Sequence, residues 1–227
     1  MKTNIKYGDR DIILESYNIK TERDLLFLME PKNIDEILIL LINYIDVKIK
    51  NKKINPLKLT EAEKYFICYM LRVISVSEIL TLKIKCDKCN SEYNKSFNVD
   101  DFLKNNENCK IFYENPEDYY DDNLDLIELD DEIDKIEIDF IKSFDCSCGN
   151  KINLNFKDLK LLSSIFSESD IYSFYKEIAS LVNRGNFDLA GIYNDMLPVE
   201  RKLYIEVIND LQSEANKKDG LNLTKRY

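Results

Sequence analysis

The sequence predicts an α+β protein in which helical N- and C-terminal parts flank an antiparallel β module. Three observations predict it. Capping signals open two apolar helical patterns before residue 80. At Thr81 the hydrophobic period changes to two, and from Lys157 it turns helical again. The middle stretch also holds two close cysteine pairs, each with alternating flanks. The expected regions are 1–80 (N-terminal helical), 81–156 (β module with an acidic hairpin) and 157–227 (C-terminal helical).

Asn33, with Glu36 three residues on, caps a helix over "IDEILILLINYIDVKI", which is apolar on nearly every side of its first two turns and so reads as buried. "NKKINP" breaks it. Thr60 and Glu63 form a second capping box before "EAEKYFICYMLRVISVSEIL". There Phe66, Met70, Val73 and Ile74 recur at three- and four-residue spacing, predicting an amphipathic helix, with Cys68 on it as a small buried hydrophobe.

Leu82 and Ile84 then alternate before the first cysteine pair, and Tyr93, Phe97 and Val99 follow it: strand, turn, strand. "KIEIDFIKSF" alternates through Ile136, Ile138 and Phe140 into the second pair, and "KINLNF" leaves it through Ile152, Leu154 and Phe156. "KDLKLLSSIF" and "SDIYSFYKEIASLVNRG" read as helices, the second ending at Gly185. A last helix begins at Pro198, a favoured first-turn proline, and the tail after Lys218 is expected to be loose.

The totals exclude several classes. At 227 residues the chain can bury a sizeable core without staples. The N-terminal stretch has no apolar run of signal-peptide type, and "ILILLINYI" is far short of the ~20 residues of a membrane span. A soluble protein made in a cytoplasm is expected, where six cysteines read as thiols or metal ligands rather than disulfides. The net charge of −10 is local: residues 114–139 hold 13 acidic residues and one Lys. Removing them from the chain's 42 acidic and 32 basic residues leaves 29 and 31, a net of +2. The acidic segment reads as a solvated hairpin with Leu124, Leu126, Ile136 and Ile138 facing the body; the sharper reading is a docking surface for a basic partner. It lacks the glycine and ligand spacing of an EF-hand.

Two strand–knuckle–strand units are what a zinc ribbon needs, because zinc takes four tetrahedral ligands and one tight turn supplies two. Cys86 and Cys89 have the two-residue gap, followed by Asn90, a residue that tolerates the left-handed conformation. Cys146 and Cys148 are one residue apart and followed by Gly149. The β module is therefore read as zinc-ribbon-like, with one structural zinc per chain. Asp145 is the alternative ligand if the short turn delivers only one sulfur, and Cys109 is the spare cysteine. Four thiolates leave no open position for a metal-bound hydroxide, so this zinc would hold a shape.

Catalytic equipment is sparse. The chain has no histidine, which removes Ser-His and Cys-His pairs and the commonest general acid–base. It has no glycine-rich phosphate loop. A redox CxxC would open a helix after a strand, whereas Cys86 lies between two strand-like segments. No catalytic or cofactor-binding residue is assigned.

"LTEAEKYFICYMLRVISVSEILTLKIKCDKCNSEYNKSFNVDDF" resembles the heart of the baseplate hub assembly proteins of T4-like contractile-tailed phages, where a helix with an Arg and a Ser near its end leads into a strand and a CxxC. The second cysteine pair and "GNFDLAGIYNDMLPVERKLYIEVINDLQSEANKK" look similar too, so the resemblance spans residues 55–102 and 136–218. Three departures stand out: Leu197 between Met196 and Pro198, Ser77 in place of a glycine, and the acidic insert. The resemblance implies a non-enzymatic hub subunit or assembly factor, in the virion or in the host cytoplasm during assembly, contacting other phage baseplate or tail proteins. The alternative is a zinc-ribbon nucleic-acid-binding regulator. It predicts a basic face with exposed aromatics beside the knuckles, of which Lys83, Lys85, Lys88 and Lys95 are the local hint. An enzyme would need a deep polar pocket.

Overall fold

The computed structural model describes residues 2–7, 10–28, 31–49, 52–99, 109–112, 140–167 and 169–223. The acidic segment 114–139, with Leu124, Leu126, Ile136 and Ile138, lies outside them.

The N-terminal part is not helical alone. It opens with strands β1 (Lys2–Tyr7) and β2 (Arg10–Glu15), then helices α1 (Ile19–Phe27) and α2 (Ile34–Leu41), then β3 (Ile45–Ile49) and β4 (Lys52–Ile54). With β7 (Cys109–Phe112) these strands form an antiparallel sheet in the order β4-β3-β2-β1-β7. The single long helix expected over 34–49 ends at Leu41, passes through a 3-10 turn and becomes β3. The physical reason is visible in its second half: Ile45, Val47 and Ile49 are buried and Asp46 and Lys48 are not, a period of two hidden behind an apolar run. Asn33 does cap α2, its Oδ1 accepting from Glu36 N at 3.2 Å.

Helix α3 (Glu61–Ser75) starts at the expected capping box, with Thr60 and Glu63 bonded reciprocally. It is not amphipathic in place: 12 of its 15 residues are buried. It runs between the N-terminal sheet and the cysteine hairpins, so it needs apolar or paired residues on both sides. Toward the sheet, Arg10 pairs with Glu63 at 2.5 Å, Ser16 Oγ donates to Ile74 O at 2.8 Å and Ser75 Oγ accepts from Tyr17 N at 3.1 Å. Toward the hairpins, Tyr65 and Tyr69 hydroxyls donate to the carbonyls of Lys157 and Phe156 at 2.7 and 2.8 Å. Cys68 is fully buried, and burial pushes its thiol pKa up.

The first hairpin is β5 (Ile79–Lys85) with β6 (Glu92–Asn98); the second is β8 (Ile141–Asp145) with β9 (Lys151–Asn155). Leu80, Leu82, Ile84, Phe140 and Phe156 join the same core as the N-terminal sheet. Arg72, 1 % exposed, fastens the root of the first hairpin: its guanidinium donates to the carbonyls of Ser77, of Ile79 at 2.8 Å and of Ile165 at 3.0 Å.

The C-terminal part contains α4 (Leu159–Ser164), α5 (Ile171–Gly185), the short α6 (Leu189–Asn194) and α7 (Pro198–Leu223). The last helix runs five residues past Lys218, into the tail expected to be loose. α5 ends where foreseen, with Asn186 in the left-handed conformation after Gly185. Ile19 of α1 joins Phe174, Ile178, Leu181, Ile192 and Met196 in a second, smaller core. Arg201 closes this core beneath α7, buried between Glu22 and Glu177 at 2.7 Å each.

Candidate metal centre

Each hairpin turns through a knuckle that carries two cysteines. In the first, Asn90 adopts φ 59°, its N–H returns to Cys86 O at 2.8 Å, and Cys86 N–H donates to Ser91 O at 2.9 Å. In the second, Gly149 adopts φ 77°, its N–H returns to Cys146 O at 2.8 Å, and Cys146 N–H donates to Asn150 O at 2.8 Å. A left-handed residue directly after the last cysteine reverses the chain in both.

The two knuckles meet. Cys86 Sγ lies 3.9 Å from Cys148 Sγ, Cys89 Sγ lies 3.5 Å from Cys146 Sγ, and Cys146 and Cys148 are 3.4 Å apart. All four sulfurs fall within 4.8 Å of one another. A tetrahedral zinc with Zn–S of about 2.3 Å requires sulfurs about 3.8 Å apart, so the donor set and its spacing fit such an ion. The short Cys146–Cys148 turn delivers both sulfurs. Asp145 is exposed, paired in register with Lys151, and does not belong to the cluster. Cys109 lies in β7, paired in register with Tyr7.

The surroundings favour thiolates. Cys86 accepts backbone N–H groups from Cys89 and Lys88 and a weaker contact from Asn150 Nδ2 at 3.6 Å, which hold its pKa low. Cys146 accepts the Cys148 N–H and the Tyr93 hydroxyl at 3.0 Å, and is lowered to about 6. Cys148 accepts the Asn150 N–H, but its contacts with the other three thiols outweigh that bond and push it up to about 11. Without a metal the cluster shares protons among close sulfurs; a cation replaces those protons. Cys86 and Cys146 are buried, while Cys89 and Cys148 face outward.

Tyr93 is the functional residue the sequence pattern did not single out. It reads as one more apolar position in a strand, yet its hydroxyl accepts from Ser147 N at 3.2 Å as well as touching Cys146. Its ring packs edge-on against Phe144 at 5.9 Å, tying the two hairpins below the sulfurs. No spacing rule marks a tyrosine for this task; only the pairing of two distant hairpins does. Outer partners of this kind fix the orientation of metal ligands.

Beside the knuckles the hairpin aromatics are packed rather than open to stacking. Lys83 bridges Glu92 at 2.7 Å, Lys95 lies over the Phe144 ring at 4.9 Å, and Phe97 packs on Phe156 at 5.3 Å. Among the described residues no helix is long and apolar enough to cross a membrane.

A family model described as T4 bacteriophage base plate protein matches residues 1–140. Searches of curated proteins and of solved structures return no match. The matched stretch contains the N-terminal sheet, α3 and the first cysteine pair, and it stops before the second pair. It includes residues 55–102 of the resemblance drawn from sequence and leaves out most of 136–218. Covering more than half of the chain, it makes this protein a member of the T4 base plate protein family.

Proposed function

From its place in a phage base plate family, with a structural role there among other tail or base plate proteins, we propose that this chain is a non-enzymatic hub or assembly component. We further propose that it holds one structural zinc per chain through Cys86, Cys89, Cys146 and Cys148. The observation that carries the reading is the meeting of four sulfurs from hairpins more than fifty residues apart, at a spacing zinc accepts. Bound zinc would supply structural cross-linking and nothing catalytic, since four thiolates close its coordination.

The chain's own residues do the rest. Asn90 and Gly149 aim the sulfurs; Tyr93, Asn150 and the knuckle N–H groups stabilise Cys86 and Cys146 as thiolates. The hairpins then form a rigid block on α3, offering fixed surfaces to neighbouring proteins. The nucleic-acid alternative loses support from the hairpin aromatics, which pack on one another or under Lys95.

Elemental analysis of the purified chain tests the metal. One zinc per chain, absent from Cys86→Ser and from Cys148→Ser alike, is expected. A well-folded chain without zinc would overturn this part. Mass spectrometry of purified tails separates the two roles: presence marks a hub component, and absence with failed base plate assembly in its deletion marks an assembly factor. Normal tails in the deletion would overturn both.

A further inference from the structure

We propose that the outer edge of β5 is a docking groove for an extended segment of a partner protein in which apolar and acidic residues alternate. Among the described residues β5 pairs with β6 alone. The phase of that ladder follows from its two ends, where Val99 N–H donates to Glu78 O and Cys86 N–H to Ser91 O, both at 2.9 Å. In an antiparallel ladder, bonded and non-bonded pairs alternate, so Leu80, Leu82 and Ile84 exchange bonds with β6. The N–H and C=O groups of Ile79, Thr81, Lys83 and Lys85 therefore point the other way. Those of Ile79 are met by Ser77 Oγ at 3.1 Å and by Arg72 at 2.8 Å. The groups of the other three residues line the edge.

A groove of about 930 Å³ is lined by every residue of β5, from Ile79 to Lys85. Its apolar lining includes Leu26, Leu82, Ile84, Leu154 and Leu161. The shape and the row of backbone groups are those of strand addition, in which main-chain bonds supply affinity and alternate side chains supply selectivity. Charge names the occupant. Lys83, Lys85 and Lys202 line the groove against Asp170. The Lys83–Glu92 bridge is exposed on both sides, at 69 % and 54 %, and so holds Lys83 weakly. A second copy of β5 would set lysines against lysines, which disfavours self-pairing.

The inference deepens the reading of this chain as a base plate protein that acts through protein contacts. The test uses the full metal-loaded chain and a labelled peptide alternating valine and glutamate, about as long as β5. Saturating peptide is expected to slow hydrogen exchange at the Thr81, Lys83 and Lys85 amides about tenfold or more, leaving Leu80, Leu82 and Ile84 unchanged. A valine–lysine peptide should bind about tenfold more weakly, and the double variant Lys83→Glu, Lys85→Glu should reverse that preference. Thr81→Pro removes an edge donor without touching the β6 ladder and should weaken binding about tenfold. The charge variant keeps the test decisive if the proline variant misfolds. No added protection, equal binding of both peptides, or edge amides already protected without peptide (the edge then being covered by this chain or a second copy) would each overturn the proposal. Failed peptide binding in a chain that still enters tails sinks this inference alone; peptide binding in a chain dispensable for tails sinks the functional reading alone.

Discussion

The two knuckles are the same device built one residue apart in length. In both, the left-handed residue returns its N–H to the carbonyl of the first cysteine, and that cysteine's N–H closes on the residue beyond. The first knuckle spends two residues between its sulfurs and can use Asn90 at φ 59°; the second spends one and uses Gly149 at φ 77°. What a metal site needs from a turn is thus the reversal after the last cysteine rather than a fixed gap. The roots of the hairpins differ more. Arg72 fastens the first through the carbonyls of Ser77 and Ile79. The second is held by Phe156 N–H to Phe140 O at 2.8 Å and by Tyr69.

The largest expected effect erases the difference between the knuckles. Cys86→Ser and Cys148→Ser should each release the metal and destabilise the fold equally, by an amount approaching the order of 10 kcal/mol that structural zinc contributes in small domains. Chelator titration followed by circular dichroism measures it. Loss of the metal from one variant but not from the other would mean the hairpins do not share one ion.

Next comes a change that separates the roots. Arg72→Met leaves the buried Ile165 carbonyl and the part-buried Ser77 and Ile79 carbonyls without their donor and should cost about 2–4 kcal/mol in denaturant unfolding, with zinc stoichiometry retained. The knuckles themselves are separated by smaller substitutions. Gly149→Ala should cost about 1–2 kcal/mol, because a Cβ at positive φ is strained even where space is open. Asn90→Gly should lie within about 0.5 kcal/mol of wild type, since glycine accepts the same φ. Equal costs at the two sites would refute the conformational account.

The smallest effect is in pH dependence, measured by thermal unfolding of the metal-free chain. Cys86 and Cys146 are lowered on folding from an ordinary value near 9, Cys146 to about 6. Their stabilisation is fully present above pH 9 and disappears as pH falls through the folded values. Cys148 is raised to about 11, so its contribution is present below pH 9 and disappears as pH rises through 11. Stability of the metal-free chain should therefore peak near pH 9. Tyr93→Phe should flatten the acid limb by removing one donor from the Cys146 thiolate, leaving the alkaline limb as it was.

Local chemistry was legible wherever neighbours in sequence are neighbours in space. The Thr60–Glu63 box, the alternation through Leu82 and Ile84, the knuckle residues Asn90 and Gly149, and Pro198 at a helix start all state their conformation within a few residues. So does the pairing of cysteines into two half-sites. By itself, then, the sequence determined the hairpins, most helix starts and the chemical character of the site.

Only the tertiary structure decided the surroundings. Residues 34–49 carry an apolar run that a helix or a strand could each bury, and the partner strand β2 is what makes Ile45–Ile49 a strand. α3 has an apolar stripe in sequence, yet layers on both sides bury nearly all of it, through Arg10–Glu63 on one face and the tyrosine hydroxyls on the other. Tyr93 joins the four-cysteine cluster because two hairpins with no sequence proximity stack on α3. Propensity and period act over a few residues, whereas contacts between residues tens of positions apart depend on which surfaces the whole chain can bury together.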